Sequence, residues 1–113
     1  MLLRVDVEER ADHAVISATG EIDAGNADEV GAAVEAALAD GQRRILLDFA
    51  QVTFIDSSGL GMLVRSHRQA EAAQATFAVV RPSVHTRKLI RVLGLDQLLA
   101  VYDTEEEALS DHA

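Results

Sequence analysis

The 113-residue chain has no cysteine and no tryptophan, and aromatic residues of all kinds make up only 4% of it. Without cysteine there is no disulfide, no thiolate nucleophile and no cysteine-ligated zinc. The shortage of rings argues against carbohydrate or single-stranded nucleic acid as ligand, since both rely on stacking platforms. Positive charge is scarce as well: 10 Lys and Arg stand against 19 Asp and Glu, for a net charge of −9. Such a field repels phosphate backbones and anionic lipid heads, so neither nucleic acid nor a membrane surface is an expected partner. A basic protein surface remains compatible. Every apolar run is too short to span a bilayer, and Met1-Leu2-Leu3-Arg4 leads straight into an alternating strand rather than a secretory leader. The expectation is a soluble, cytoplasmic protein.

What is present suits a folded domain: 49% apolar and 26% charged residues, in a length that matches one domain over residues 1–113. Leu3, Val5 and Val7 alternate with polar neighbours, and Ala14 to Ala18 reads as a returning strand, which together predict an antiparallel hairpin. Gly20-Glu21-Ile22-Asp23 then breaks the pattern ahead of a helix carrying Val30, Val34, Ala37 and Leu38 on one face and ending at Asp40-Gly41. Ile45-Leu46-Leu47 is apolar on both faces, as in a central strand covered on each side. A turn is expected over Gln51 to Asp56, followed by a helix from Ser57 with Leu60, Leu63 and Val64 inward. Thr76 to Val80 is a strand. Ser83 caps a helix with Leu89, Val92 and Leu93, closed by Gly94. Leu98 to Tyr102 is a last strand, and Thr104 opens an acidic final helix through Leu109. The order β-β-α-β-α-β-α-β-α predicts an α/β fold: a mixed, mostly parallel sheet of about five strands with an antiparallel N-terminal edge and about four helices.

The segment Phe54-Ile55-Asp56-Ser57-Ser58-Gly59-Leu60-Gly61 lies where a central strand gives way to a helix, the edge at which open α/β folds place their sites. One of Asp56, Ser57 and Ser58 suffices as a helix cap, yet three stand in a row. Gly59 and Gly61 weaken the following turn by about 1 kcal/mol each relative to alanine. Little side-chain bulk there predicts close approach by another protein.

Asp56-Ser57-Ser58-Gly59-Leu60-Gly61 resembles the signature of bacterial anti-sigma-factor antagonists of the STAS family, and Gly20-Glu21-Ile22-Asp23 resembles that family's motif after the second strand. Val92-Leu93-Gly94-Leu95 and the acidic last helix extend the resemblance over essentially the whole chain. It implies a STAS-like domain acting in partner switching. The unphosphorylated protein would bind an anti-sigma factor that is itself a serine kinase of the histidine-kinase-like ATPase fold, releasing a sigma factor. Phosphorylation of Ser57 would end that binding, and a metal-dependent serine phosphatase would reset it. Asp23 and Asp56 would flank the phosphosite, with Ser58, Gly59, Leu60 and Gly61 completing the partner-binding surface and Ser58 serving as cap or hydrogen-bond partner. Such a protein is not an enzyme, needs no cofactor and is a monomer or weak dimer.

Other readings compete. A STAS subunit of a lipid-transport ABC system or a stressosome-like scaffold would share the fold. An enzyme using Asp23, Asp56 and Ser57 would need a deep pocket, whereas the small residues of the motif suggest an exposed ridge. His13, His67, His85 and His112 have no metal-ligand spacing, and no phosphate-binding loop or nucleophile elbow is present. Arg65, Arg68, Arg87, Lys88 and Arg91 form either a solvated face or the border of a partner interface.

Overall fold

The computed structural model describes residues 2–111. Strands β1 (Leu3–Glu9) and β2 (Ala14–Ile22) form the predicted hairpin, with Leu3 opposite Gly20 and Glu9 opposite Ala14. Strands β3 (Arg44–Ile55), β4 (Thr76–Val80) and β5 (Ala100–Tyr102) follow in chain order, each parallel to the one before. Parallel neighbours require crossovers, supplied here by helices α1 (Ala27–Ala39), α2 (Ser57–Ala72) and α3 (Val84–Val92). A 3₁₀ turn at Leu95–Gln97 precedes β5, and α4 (Glu105–Ser110) closes the fold.

The alternation within each strand divides the core in two. Ile16, Ile45, Leu47, Phe49 and Val79 face α1, α2 and α3, and meet Val30, Val34, Leu60, Leu63 and Ile90 in the larger cluster. Val15, Leu46, Ala78 and Val80 face the other way, under Ala108 of α4. This is why Ile45-Leu46-Leu47 is apolar throughout. The predicted stop at Asp40-Gly41 is realised as a paired cap. Gly41, at φ 88°, donates its N–H to the Leu38 carbonyl, and Gln42 donates to that of Ala37.

Four expectations are corrected. β2 does not break at Gly20 but continues to Ile22, and β3 does not turn at Gln51 but continues to Ile55. The two segments pair with each other across two register shifts, in which β3 supplies extra residues, so the local sequence loses its period while the ladder persists. Gly20 sits at φ 116°, and a Cβ there would lie 2.3 Å from the Leu2 carbonyl oxygen. On α3, Val92 and Leu93 point outward at 69% and 57% exposure. The buried residues are Thr86 and Ile90, because the chain turns out through Gly94 before it can bring the last turn under the sheet. Ser83 caps α3 as expected, accepting from the Thr86 N–H at 3.0 Å. The last strand is shorter than predicted, because Leu95–Gln97 forms the 3₁₀ turn and pairing begins only at Ala100.

The six-residue α4 is held by more than Ala108. Thr104 accepts from the Glu107 N–H at 3.0 Å, Arg44 donates to the Leu109 carbonyl at 2.9 Å, and the Tyr102 hydroxyl donates to the Asp111 carboxylate. That last bond, with burial and the Asp111 charge adding to it, raises the Tyr102 phenol above its ordinary value. A raised phenol in the folded state stabilises the fold fully below the unfolded value of about 10, and the gain is lost as pH rises through the folded midpoint. Tyr102 is the chain's one tyrosine, so its phenolate absorbance reads the effect directly. The native midpoint is expected above that of the urea-unfolded chain, and Asp111→Ala should bring the two together. An unchanged midpoint in the variant would show that the bond does not form.

Candidate functional site

β2 and β3 end side by side, with Ile22 paired to Ile55, so Asp23 and Asp56 leave adjacent strands together at the C-terminal edge of the sheet. The Asp56 N–H donates to the Ile22 carbonyl at 3.2 Å, extending the ladder by one bond. Asp56 then caps α2. Its Oδ1 accepts from the N–H groups of Ser58 at 2.9 Å and Gly59 at 3.3 Å, and its own carbonyl accepts from Leu60. The cap among the three candidates is therefore Asp56, and Ser58 contributes its backbone rather than its hydroxyl.

Ser57, the first residue of α2, is exposed, and among the described residues its hydroxyl has no hydrogen-bond partner. Gly59 and Leu60 do not offer surface, contrary to expectation. Leu60 is buried in the core, and an added Cβ at Gly59 would stand 2.4 Å from Ile55 Cγ1 and 2.9 Å from Ile22 Cγ2. Gly59 thus seats the helix start on the two strand ends. Gly61 is the open glycine, where a Cβ would meet only Arg65 Nη1, at 3.4 Å.

Asp23 shapes its own loop: Oδ1 accepts from the Gly25 N–H at 2.9 Å, and its carbonyl accepts from Asn26 and Ala27. Asn26 was not apparent from sequence as a site residue, because an Asn ahead of a helix reads as an ordinary cap. It is buried, and its side chain caps nothing. Instead its Oδ1 accepts from the Asp23 N–H and its Nδ2 donates to the Glu21 carbonyl, both at 2.9 Å, fixing the exit of β2. Asn26→Ala leaves both backbone groups without these partners. It should cost about 2 kcal/mol by urea denaturation, and a loss under about 0.5 kcal/mol would mean that water replaces the side chain.

Alongside, α1 and α2 enclose a groove of about 250 Å³ whose polar walls include Asp28, Glu35, Arg65 and Gln69. Gln69 donates to Glu35 at 2.9 Å, and Arg65 lies 3.8 Å from Asp28. Clefts of about 220, 280 and 500 Å³ lie elsewhere, and Asp23, Asp56 and Ser57 line none of the four. His13 lies beside Asp12 and Glu105, His67 beside Glu71, and His85 is exposed on α3, while His112 falls outside the described residues. Among the described residues no helix is long and apolar enough to cross a membrane. Of the cations on α2 and α3, Arg87 pairs with Asp103, and Arg68, Lys88 and Arg91 are exposed.

Comparison with known proteins agrees with this architecture. The family model of the STAS domain matches residues 4–108. An anti-sigma F factor antagonist of Paenibacillus polymyxa is 30% identical, with 98% of this chain and 96% of that one aligned. The crystal structure of an anti-sigma factor antagonist from Mycobacterium paratuberculosis superposes with a TM-score of 0.87 at 30% identity, over 96% of this chain and 92% of that one. SpoIIAA matches in its unphosphorylated form (TM-score 0.78, 28% identity, 94% and 93% covered). The phosphorylated form of SpoIIAA from Bacillus matches too (TM-score 0.72, 29% identity, 94% and 96% covered). The chain belongs to the STAS domain family, in the company of its anti-sigma-factor antagonists.

Proposed function

We propose that this chain is an anti-sigma-factor antagonist switched by phosphorylation of Ser57. Unphosphorylated, it binds an anti-sigma factor that is also a serine kinase of the histidine-kinase-like ATPase fold; phosphorylated, it lets go, and a metal-dependent serine phosphatase restores it. One observation carries the reading: Ser57 opens α2 with an exposed hydroxyl, directly after the capping Asp56 and beside the strand end that leads to Asp23. A kinase needs an accessible hydroxyl, and the switch needs new charge to arrive on the surface that meets the partner. The likeness to SpoIIAA in both of its forms supports a switch that keeps the fold.

The rival of an enzyme built on Asp23, Asp56 and Ser57 is less well supported. An Asp23 oxygen is engaged by Gly25, and one Asp56 oxygen by Ser58 and Gly59, so both carboxylates hold backbone rather than face a pocket. In this reading Gly61 and Ser58 lie on the partner's side of α2, and Gly59 and Leu60 set its position from beneath.

The test is intact-mass and peptide mass spectrometry after incubation with ATP and candidate anti-sigma kinases of the source organism. One phosphate on the wild-type chain, absent from Ser57→Ala, is the expected result. No phosphate from any kinase, together with stable co-purification of transporter subunits, would replace this reading with that of a transport-system STAS subunit.

A further inference from the structure

A phosphate placed on Ser57 would need a source of positive charge, and most of the usual one is already taken. Helix N-termini attract anions through free N–H groups. In α2 the Ser58 and Gly59 N–H groups are held by the Asp56 carboxylate, and the Leu60 N–H by the Asp56 carbonyl. Carboxylates stand at this end as well: Asp56 itself and, after the paired end of β2, Asp23.

One cation shares the face. Ser57, Gly61 and Arg65 are spaced four residues apart and line one side of α2. The guanidinium of Arg65 lies back over Gly61, with Nη1 only 3.4 Å from where a Cβ would be, so the missing side chain is what lets the arginine reach toward the helix start. From Gly61 to Ser57 is one helical turn, about 6 Å of rise. The present partner of Arg65 holds it weakly. Asp28 is 3.8 Å away, and the two side chains are 61% and 99% exposed, which leaves the arginine free to exchange.

Resting on the reading of Ser57 as phosphoacceptor, we propose that Arg65 is the internal counter-ion of the phosphorylated form, leaving Asp28 for the phosphate when Ser57 is modified. Gly61 is then the clearance that permits the exchange. Losing the arginine from the surface that met the partner would add to the change in charge that the phosphate brings.

The experiment does not depend on any kinase. The full chain is made with phosphoserine encoded at position 57, as wild type, Arg65→Gln and Arg65→Lys, and the ³¹P resonance is followed through the second phosphate ionisation. A unit charge at about 6 Å, at an effective dielectric near 40, should hold that ionisation about one unit lower in the wild type and in Arg65→Lys than in Arg65→Gln. The difference should shrink in high salt. Superimposable titrations of wild type and Arg65→Gln would overturn the proposal. If no kinase modifies Ser57, the functional reading fails while this titration still reports on Arg65; if the titrations coincide, the switch stands without the counter-ion.

Discussion

Phosphorylation of Ser57 is expected to weaken binding to the anti-sigma kinase by about four powers of ten while leaving the fold in place. The phosphate brings about −1.5 to −2 charges. Against an acidic patch of the partner that sets two carboxylates about 6 Å from the phosphate, at an effective dielectric near 40, two charges make four repulsive pairs of about 1.4 kcal/mol each; repulsion by the chain's own Asp23 and Asp56 is present bound or free and does not count. The sum of about 5 kcal/mol is what turns a mostly bound population into a mostly free one. The fold survives because the phosphoacceptor is exposed and touches nothing in either core, while Asp56 keeps the cap. Calorimetric titration of the kinase with unmodified and phosphoserine protein measures the loss, and amide spectra measure the fold. Ser57→Asp, with one charge closer to the backbone, should fall between the two forms. A loss of under tenfold, or a rearranged α2, would sink the electrostatic mechanism.

The second large effect separates the two glycines of the same motif. Gly59→Ala puts a methyl group within 2.4 Å and 2.8 Å of Ile55 side-chain carbons and 2.9 Å of Ile22, both buried. The helix start cannot slide to make room, since the Asp56 cap and the buried Leu60 and Leu63 hold it on three sides. Overpacking of this kind costs about 3 kcal/mol, offset by about 1 kcal/mol of improved helix propensity, for a net loss near 2 kcal/mol. Gly61→Ala meets only the flexible end of Arg65 and should stabilise by about 1 kcal/mol. Urea denaturation of the two variants should therefore move in opposite directions. If both stabilised, the seating of α2 on Ile22 and Ile55 would be wrong.

Much of this fold is legible in the sequence because its elements obey simple periods. The hairpin, the apolar Ile45-Leu46-Leu47, and the caps at Ser83 and Thr104 follow from alternation and local chemistry alone. The paired ends of β2 and β3 do not, because the register shifts remove the period just where the site is built. The outward turn of Val92 and Leu93 was hidden for another reason: an apolar residue at the end of a helix looks the same whether or not the sheet extends beneath it. At the site, composition pointed to the Asp-Ser-Ser-Gly start of α2. It could not show which residue caps, that Gly59 is packed rather than open, or that Asn26 works across the β2 exit. Each of those depends on which backbone lies alongside, and only the pairing of distant strands decides it.

The strand order has a consequence for how the molecule is made. The sheet runs β1 to β5 in chain order, so every strand docks on the one that preceded it and none has to be inserted between two already joined. The loops that must close are only as long as one crossover, which keeps the entropic penalty of each addition small. The chain can therefore assemble from its first residue to its last as it emerges during synthesis. The hairpin serves as template and the acidic α4 as the final cover, and each new strand adds to one edge of the sheet while β1 keeps the other.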